Sequence, residues 1–161
     1  MHRILFALTC LLGLFSLPAW ADEPVIVRQI ISPSDFPRAR EALQDAIENQ
    51  GLIAGATSHF GEMLARTGPS LGRPTAFYDQ AEVVSFCSAT VSWGLVEEQA
   101  AYIALCPLTI AIYTLPGEKG TVYLSYRDPG SASPALRRAA ALLRDIASAT
   151  LISARRHTAL E

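Results

Sequence analysis

A chain of 161 residues with 13 basic and 15 acidic side chains is the length of one domain and carries no excess of positive charge to hold a nucleic acid. Half of it is hydrophobic, and no repeat, low-complexity tract or long charge run interrupts it. Its three cysteines form no Cys-x-x-Cys, no Cys-x-x-Cys-His haem attachment and no paired zinc spacing.

His2 and Arg3 precede an apolar run of 14 residues at 4–17, and Ala19-Trp20-Ala21 stands ahead of the polar Asp22-Glu23-Pro24. This is the pattern of a secretory signal peptide, residues 1–21, cleaved after Ala21, which leaves residues 22–161 as a single domain in the periplasm or outside the cell. The run is shorter than the roughly 20 residues that span a bilayer, so no stable membrane anchor is expected after cleavage. Cys10 lies inside the run and leaves with it, which argues against a lipid anchor. Removing Arg3 leaves 12 basic against 15 acidic residues, and the remaining 140 residues can bury a core without disulfides.

Residues 25–31 read as a strand, β-branched and apolar apart from Arg28 and Gln29, between Pro24 and Ser32-Pro33. Ser34 or Asp35 then caps a helix reaching Gln50, with Phe36, Ala39, Leu43, Ala46 and Ile47 at helical spacing and Gly51 as its stop. A second strand at 52–57 leads into a short helix at 58–68 that sets His59 and Met63 one turn apart. The glycines of the loop 68–74 fit neither a P-loop nor a dinucleotide fingerprint.

A third strand at 81–87 is followed by a helix from 89 to about 99 capped by Ser88. Cys87 therefore stands beside a helix N-terminus, where the dipole favours a reactive thiol. A long strand at 102–113 presents Leu108, Ile110 and Ile112 on one face, with Pro107 holding Cys106 near an edge, a bulge or the strand start. Pro116-Gly117-Glu118-Lys119-Gly120 closes a hairpin onto a strand at 121–127, which presents Val122, Leu124 and Tyr126. After Asp128-Pro129-Gly130, Ser133-Pro134 opens a last helix whose Leu136, Ala139, Ala140, Leu143, Ala147 and Thr150 share one face. That stripe is too short in bulk to insert into a membrane surface and suits packing on a sheet. The order predicts one α+β domain, its mainly antiparallel sheet covered on one face by the long first and last helices.

The stretches Glu48-Asn49-Gln50-Gly51-Leu52, Val84-Ser85-Phe86-Cys87-Ser88, Leu105-Cys106-Pro107-Leu108 and Tyr123-Leu124-Ser125-Tyr126-Arg127-Asp128-Pro129 together resemble the domain-of-unknown-function family numbered 302, over residues 25–130. The resemblance implies a fold similar to half of a TATA-box binding protein, without its DNA role. It implies no settled reaction and transfers no catalytic residues. The common form of the family resembles Phe-Gly-Asn-Pro where this chain has Phe86-Cys87-Ser88-Ala89, so the sequence looks like a secreted, cysteine-bearing branch.

Cys87 and Cys106, 19 positions apart, admit several readings: a disulfide, two buried free thiols, a redox pair or half a metal site. A bridge closing a loop of this length would contribute about 3 kcal/mol. Strand parity opposes it, because Cys106 shares a face with Leu108 and Ile110 whereas Cys87 opposes Val84 and Phe86, unless a bulge at Pro107 re-aims Cys106. Cys87, Cys106, His59 and Met63 together would offer a soft donor set suited to Cu(I); no other cofactor is implied. A hydrolytic site has less support: no Gly-x-Ser-x-Gly elbow occurs, His157 lies near the chain end, and the adjacent Glu97 and Glu98 point about 100° apart on a helix. The first expectation is a secreted or periplasmic accessory or binding protein, not an enzyme, with bridged cysteines and an unknown small ligand or periplasmic protein partner. The second is a thiol-redox or copper-type protein that uses Cys87, Cys106, His59 and Met63.

Overall fold

Alternating apolar residues in the strands and helical apolar stripes on either side of them fold into a sheet with helices against it. The computed structural model describes residues 25–75 and 77–158. The leader expected at 1–21, its expected cleavage site and Cys10 lie outside the described residues.

The elements are β1 (Ile26–Ile31), α1 (Phe36–Glu48), β2 (Ala54–Ser58), α2 (Phe60–Thr67), β3 (Gln80–Phe86), α3 (Ala89–Glu98), β4 (Leu108–Thr114), β5 (Val122–Arg127) and α4 (Pro134–Thr158). The strands form one sheet in the order β1-β5-β4-β3-β2, and every neighbouring pair is antiparallel. The expected α+β architecture is therefore the one observed. Asp35 caps α1, its carboxylate accepting from the Arg38 N–H at 2.9 Å, and Gly51 takes φ 71 just beyond the helix, a conformation that suits glycine.

Val84 and Phe86 from β3, Leu108, Ile110 and Ile112 from β4, and Val122, Leu124 and Tyr126 from β5 are buried on one sheet face. Phe36, Ala39, Leu43 and Ile47 of α1 meet Leu143, Ile146, Ala147 and Ala154 of α4 in the same core. Burying each Leu, Ile or Phe there contributes roughly 1.5–3 kcal/mol before the entropy of ordering it is set against it. A smaller cluster joins Leu95 of α3 to Ala135, Leu136 and Ala139 at the start of α4.

The strand expected at 102–113 begins only at Leu108. Residues Ala100–Leu105 instead form a 3-10 segment. Tyr102 and Leu105, three apart, both pack on the Leu95 cluster, so local helical spacing satisfies two apolar side chains that an extended chain would separate. The peptide between Cys106 and Pro107 is cis. β3 ends at Phe86, which leaves Cys87 outside the strand, and α4 runs through to Thr158. No helix among the described residues is long and apolar enough to cross a membrane.

Candidate functional site

Phe86 lies opposite Leu108 at the end of the β3–β4 ladder, and Cys87 and Cys106 stand just outside that pair, at one end of the sheet. Ser88 caps α3 by accepting from the Val91 N–H at 3.4 Å, as its sequence position suggested. Both thiols are free in the structure, Cys87 exposed and Cys106 half-buried. Cys106 turns against α3, its Sγ 3.3 Å from Ser92 Oγ, and lines an apolar groove of about 210 Å³ with Ala89, Ser92, Trp93, Val96 and Ile103. Trp93 and Ile103 remain 66% and 67% exposed at its rim.

His59 and Met63 lie elsewhere. His59 sits between β2 and α2 with Nδ1 3.4 Å from Glu82 Oε1, and Met63 Sδ is 3.8 Å from Thr67 Oγ1. Antiparallel pairing explains the separation: β2 ends at Ser58 opposite Val83, near the start of β3, whereas Cys87 follows the end of β3. The five steps along the chain from Glu82 to Cys87 span about 16 Å when extended. Among the described residues no group of three or more His, Cys, Asp or Glu is placed to hold a metal ion. The copper-type donor set of Cys87, Cys106, His59 and Met63 is thus not brought together. Glu82 belongs instead to an ion-pair knot the sequence reading did not identify. Its Oε2 accepts from Arg40 Nε at 2.7 Å, and Arg40 also donates to Thr57 Oγ1 at 3.4 Å and to Gln44 Oε1 at 3.3 Å.

A concavity lies where the pairing in the middle of the sheet is incomplete. β3 and β4 pair along their full length, from Gln80 opposite Thr114 to Phe86 opposite Leu108. β4 and β5 pair only from Tyr113 opposite Tyr123 to Ala111 opposite Ser125, although both strands continue to Leu108 and Arg127. The closed end is held by stacking of Tyr113 on Tyr123, with ring centroids 5.1 Å apart, while Arg28 covers the Tyr123 ring at 5.5 Å. At the other end the registered pairing stops at Ala111 and Ser125, and an opening lies beside it.

That opening is a cleft of about 420 Å³. Leu108, Tyr126 and Leu143 of the core line it, together with Ala104, Leu105 and Pro107 just before β4 and with Ile26, Arg127 and Pro129. Thr109 and Ser125 supply hydroxyls. Burial, followed by the Asp128 carboxylate, pushes the Tyr126 hydroxyl above its ordinary pKa, with Arg144 opposing the shift. The arrangement offers an apolar interior, hydroxyls and a single guanidinium, a set suited to holding and orienting a small molecule. In the sequence Tyr126 shares a strand face with Val122 and Leu124, Leu143 lies on the apolar stripe of the last helix, and no motif marks Arg127, Thr109 or Ser125 as site residues. The one local signal was the Asp128-Pro129-Gly130 break beside Arg127, which bars β5 from running on.

Residues 28–155, from β1 into the last turns of α4, match the family described as Domain of unknown function DUF302. The crystal structure of the uncharacterized conserved protein DUF302 from Bacillus stearothermophilus is similar with a TM-score of 0.59, covering 79% of this chain and 97% of that one. Its sequence identity is 16%, so that likeness speaks to the fold alone. No curated protein is detectably similar. A match of that extent, with the sheet and both long helices inside it, makes the chain a member of the DUF302 family.

Proposed function

We propose that the chain is a small accessory or binding protein that works in the periplasm or outside the cell, and that it takes a small ligand in the cleft between β4 and β5. The observation that carries this reading is a cleft of about 420 Å³ lined by the buried Leu108, Tyr126 and Leu143, where the registered β4–β5 pairing stops at Ala111 and Ser125. Unpaired strand edges and apolar surface are costly to leave open in a stable sheet, and a bound molecule would offset that cost. Export rests on the leader pattern at 1–21. The test is a titration with N-phenyl-1-naphthylamine, a neutral probe that fluoresces in apolar sites. Binding should saturate in the wild type, weaken about tenfold or more in Ala104→Trp, where lost apolar contact exceeds about 1.4 kcal/mol, and persist in Trp93→Ala, which alters only the Cys106 groove. Equal binding by all three proteins would remove the cleft as the site.

A second reading concerns the thiols, because Cys87 and Cys106 flank the same end of the sheet. In an oxidising compartment such a pair tends to bridge, and bridging would draw the Cys106 sulfur away from Ser92. A bridged or redox-cycling pair adds iodoacetamide only after reduction; labelling of both cysteines in unreduced, unfolded protein means that the pair stays free.

A further inference from the structure

We infer that the cleft selects an amphipathic monoanion, a small free acid whose carboxylate meets Arg127 and whose aliphatic body lies against Leu105, Leu108 and Leu143. This rests on the cleft being a ligand site and adds the class of ligand.

Arg127 is the one lining residue with a charged side chain; no acidic residue lines the cleft to compete for it. Among the described residues no carboxylate forms a salt bridge with Arg127. The nearest acid in the chain, Asp128, is engaged locally, its Oδ1 accepting from the Gly130 N–H at 2.7 Å. A guanidinium presents forked donors that match a carboxylate. The Thr109 hydroxyl is a further donor for the same oxygens, and no acidic side chain lines the cleft to receive an ammonium group. The rest of the lining is mainly apolar, with exposed Ile26 opposite Arg127 in the β1–β5 pairing and Leu143 buried. The volume lies toward the small end of the range of about 300–1,000 Å³ usual for ligand pockets. It suits a single short chain better than a two-chain lipid.

The test uses octanoate, octylammonium and octan-1-ol, titrated calorimetrically into the full folded domain and its variants. Octanoate should bind about tenfold tighter than octylammonium, and Arg127→Gln should lose about tenfold for octanoate, the loss expected for one hydrogen-bonded charged contact, while octan-1-ol is unaffected. Arg127→Lys should recover part of the octanoate affinity, and Ala104→Trp should weaken all the ligands that bind. If octanoate and octylammonium bind alike, or Arg127→Gln leaves octanoate unchanged, the charge selection is wrong although the cleft still binds. If none of the three binds while the naphthylamine probe does, the ligand class is wrong. If Ala104→Trp leaves both octanoate and the naphthylamine probe unaffected, the cleft itself is not the site and the inference goes with it.

Discussion

Glu82 shows how a single side chain can tie several elements together at the sheet edge. Its carboxylate, with the side chain 18% exposed, receives Arg40 from α1 and faces His59 at the start of α2, while Arg40 also reaches Thr57 on β2. Removing it leaves Arg40 with weaker neutral acceptors in a half-buried place. Glu82→Ala should therefore destabilise the fold by roughly 1–3 kcal/mol, and a double-mutant cycle with Arg40→Ala should show coupling in urea unfolding; additive losses would mean the knot contributes little. Tyr126 carries a pH dependence. Burial and Asp128 raise its folded pKa above the unfolded value of 10.0, so its stabilising contribution is complete below that value and is lost as pH rises through and beyond it. Tyr123, raised first by its hydrogen bond to Glu118 and then by burial, adds a contribution of the same sign. Urea midpoints measured from neutral to alkaline pH should fall, less steeply in Tyr126→Phe and less again when Tyr123→Phe is added. Cys87 and Cys106 were legible as chemistry from residue type, whereas strand parity left open whether they face the same side, because a bulge at Pro107 could re-aim Cys106. Arg127 was not legible, because nothing local distinguishes a guanidinium at a strand end from one beside an opening.

At the scale of elements, the chain is readable where one face of a segment is apolar at a fixed period. α1, β5 and the buried face of β4 follow from Phe36, Ala39 and Leu43, from Val122, Leu124 and Tyr126, and from Leu108, Ile110 and Ile112. Residues 100–105 read as strand because an apolar run alone does not separate extended from helical chain; the deciding contact is with Leu95, which is not local in sequence. The extent of the β4–β5 ladder was hidden for the same reason, since pairing belongs to two strands and a sequence shows one at a time. Glycines test the elements directly. A Cβ at Gly94 would meet only Arg138 Nη2, at 2.9 Å, the free end of a flexible side chain on α4. Gly94→Ala should therefore gain up to about 1 kcal/mol from helix propensity. At Gly68 a Cβ would lie 2.7 Å from the Pro74 carbonyl oxygen and 3.0 Å from that of Leu64, both fixed backbone. Gly68→Ala should lose about 1–3 kcal/mol by overpacking. Thermal unfolding of the pair should shift in opposite directions; a common direction would contradict the packing described around α3 or around the 68–74 loop.

For the molecule as a whole, the cleft and the core are not separate features, because Leu143 of α4 belongs to the core shared by the sheet and both long helices and also lines the opening. Ile112 lies in the same core, fully buried, and does not line the cleft. Truncating either should cost about 2–5 kcal/mol, the transfer free energy of the lost methyl groups together with the cavity left behind. The cavities differ in access. One opens into the cleft, where an apolar molecule can enter and restore the lost contacts; the other is sealed beneath paired strands. A neutral ligand that binds only the folded chain stabilises it in proportion to its affinity. Octan-1-ol should accordingly raise the urea midpoint of Leu143→Ala by more than that of the wild type, and that of Ile112→Ala by no more than the wild type. Equal responses in the two variants would show that the space above Leu143 does not communicate with the outside. The interrupted ladder would then be a local irregularity of the sheet with no access to its core.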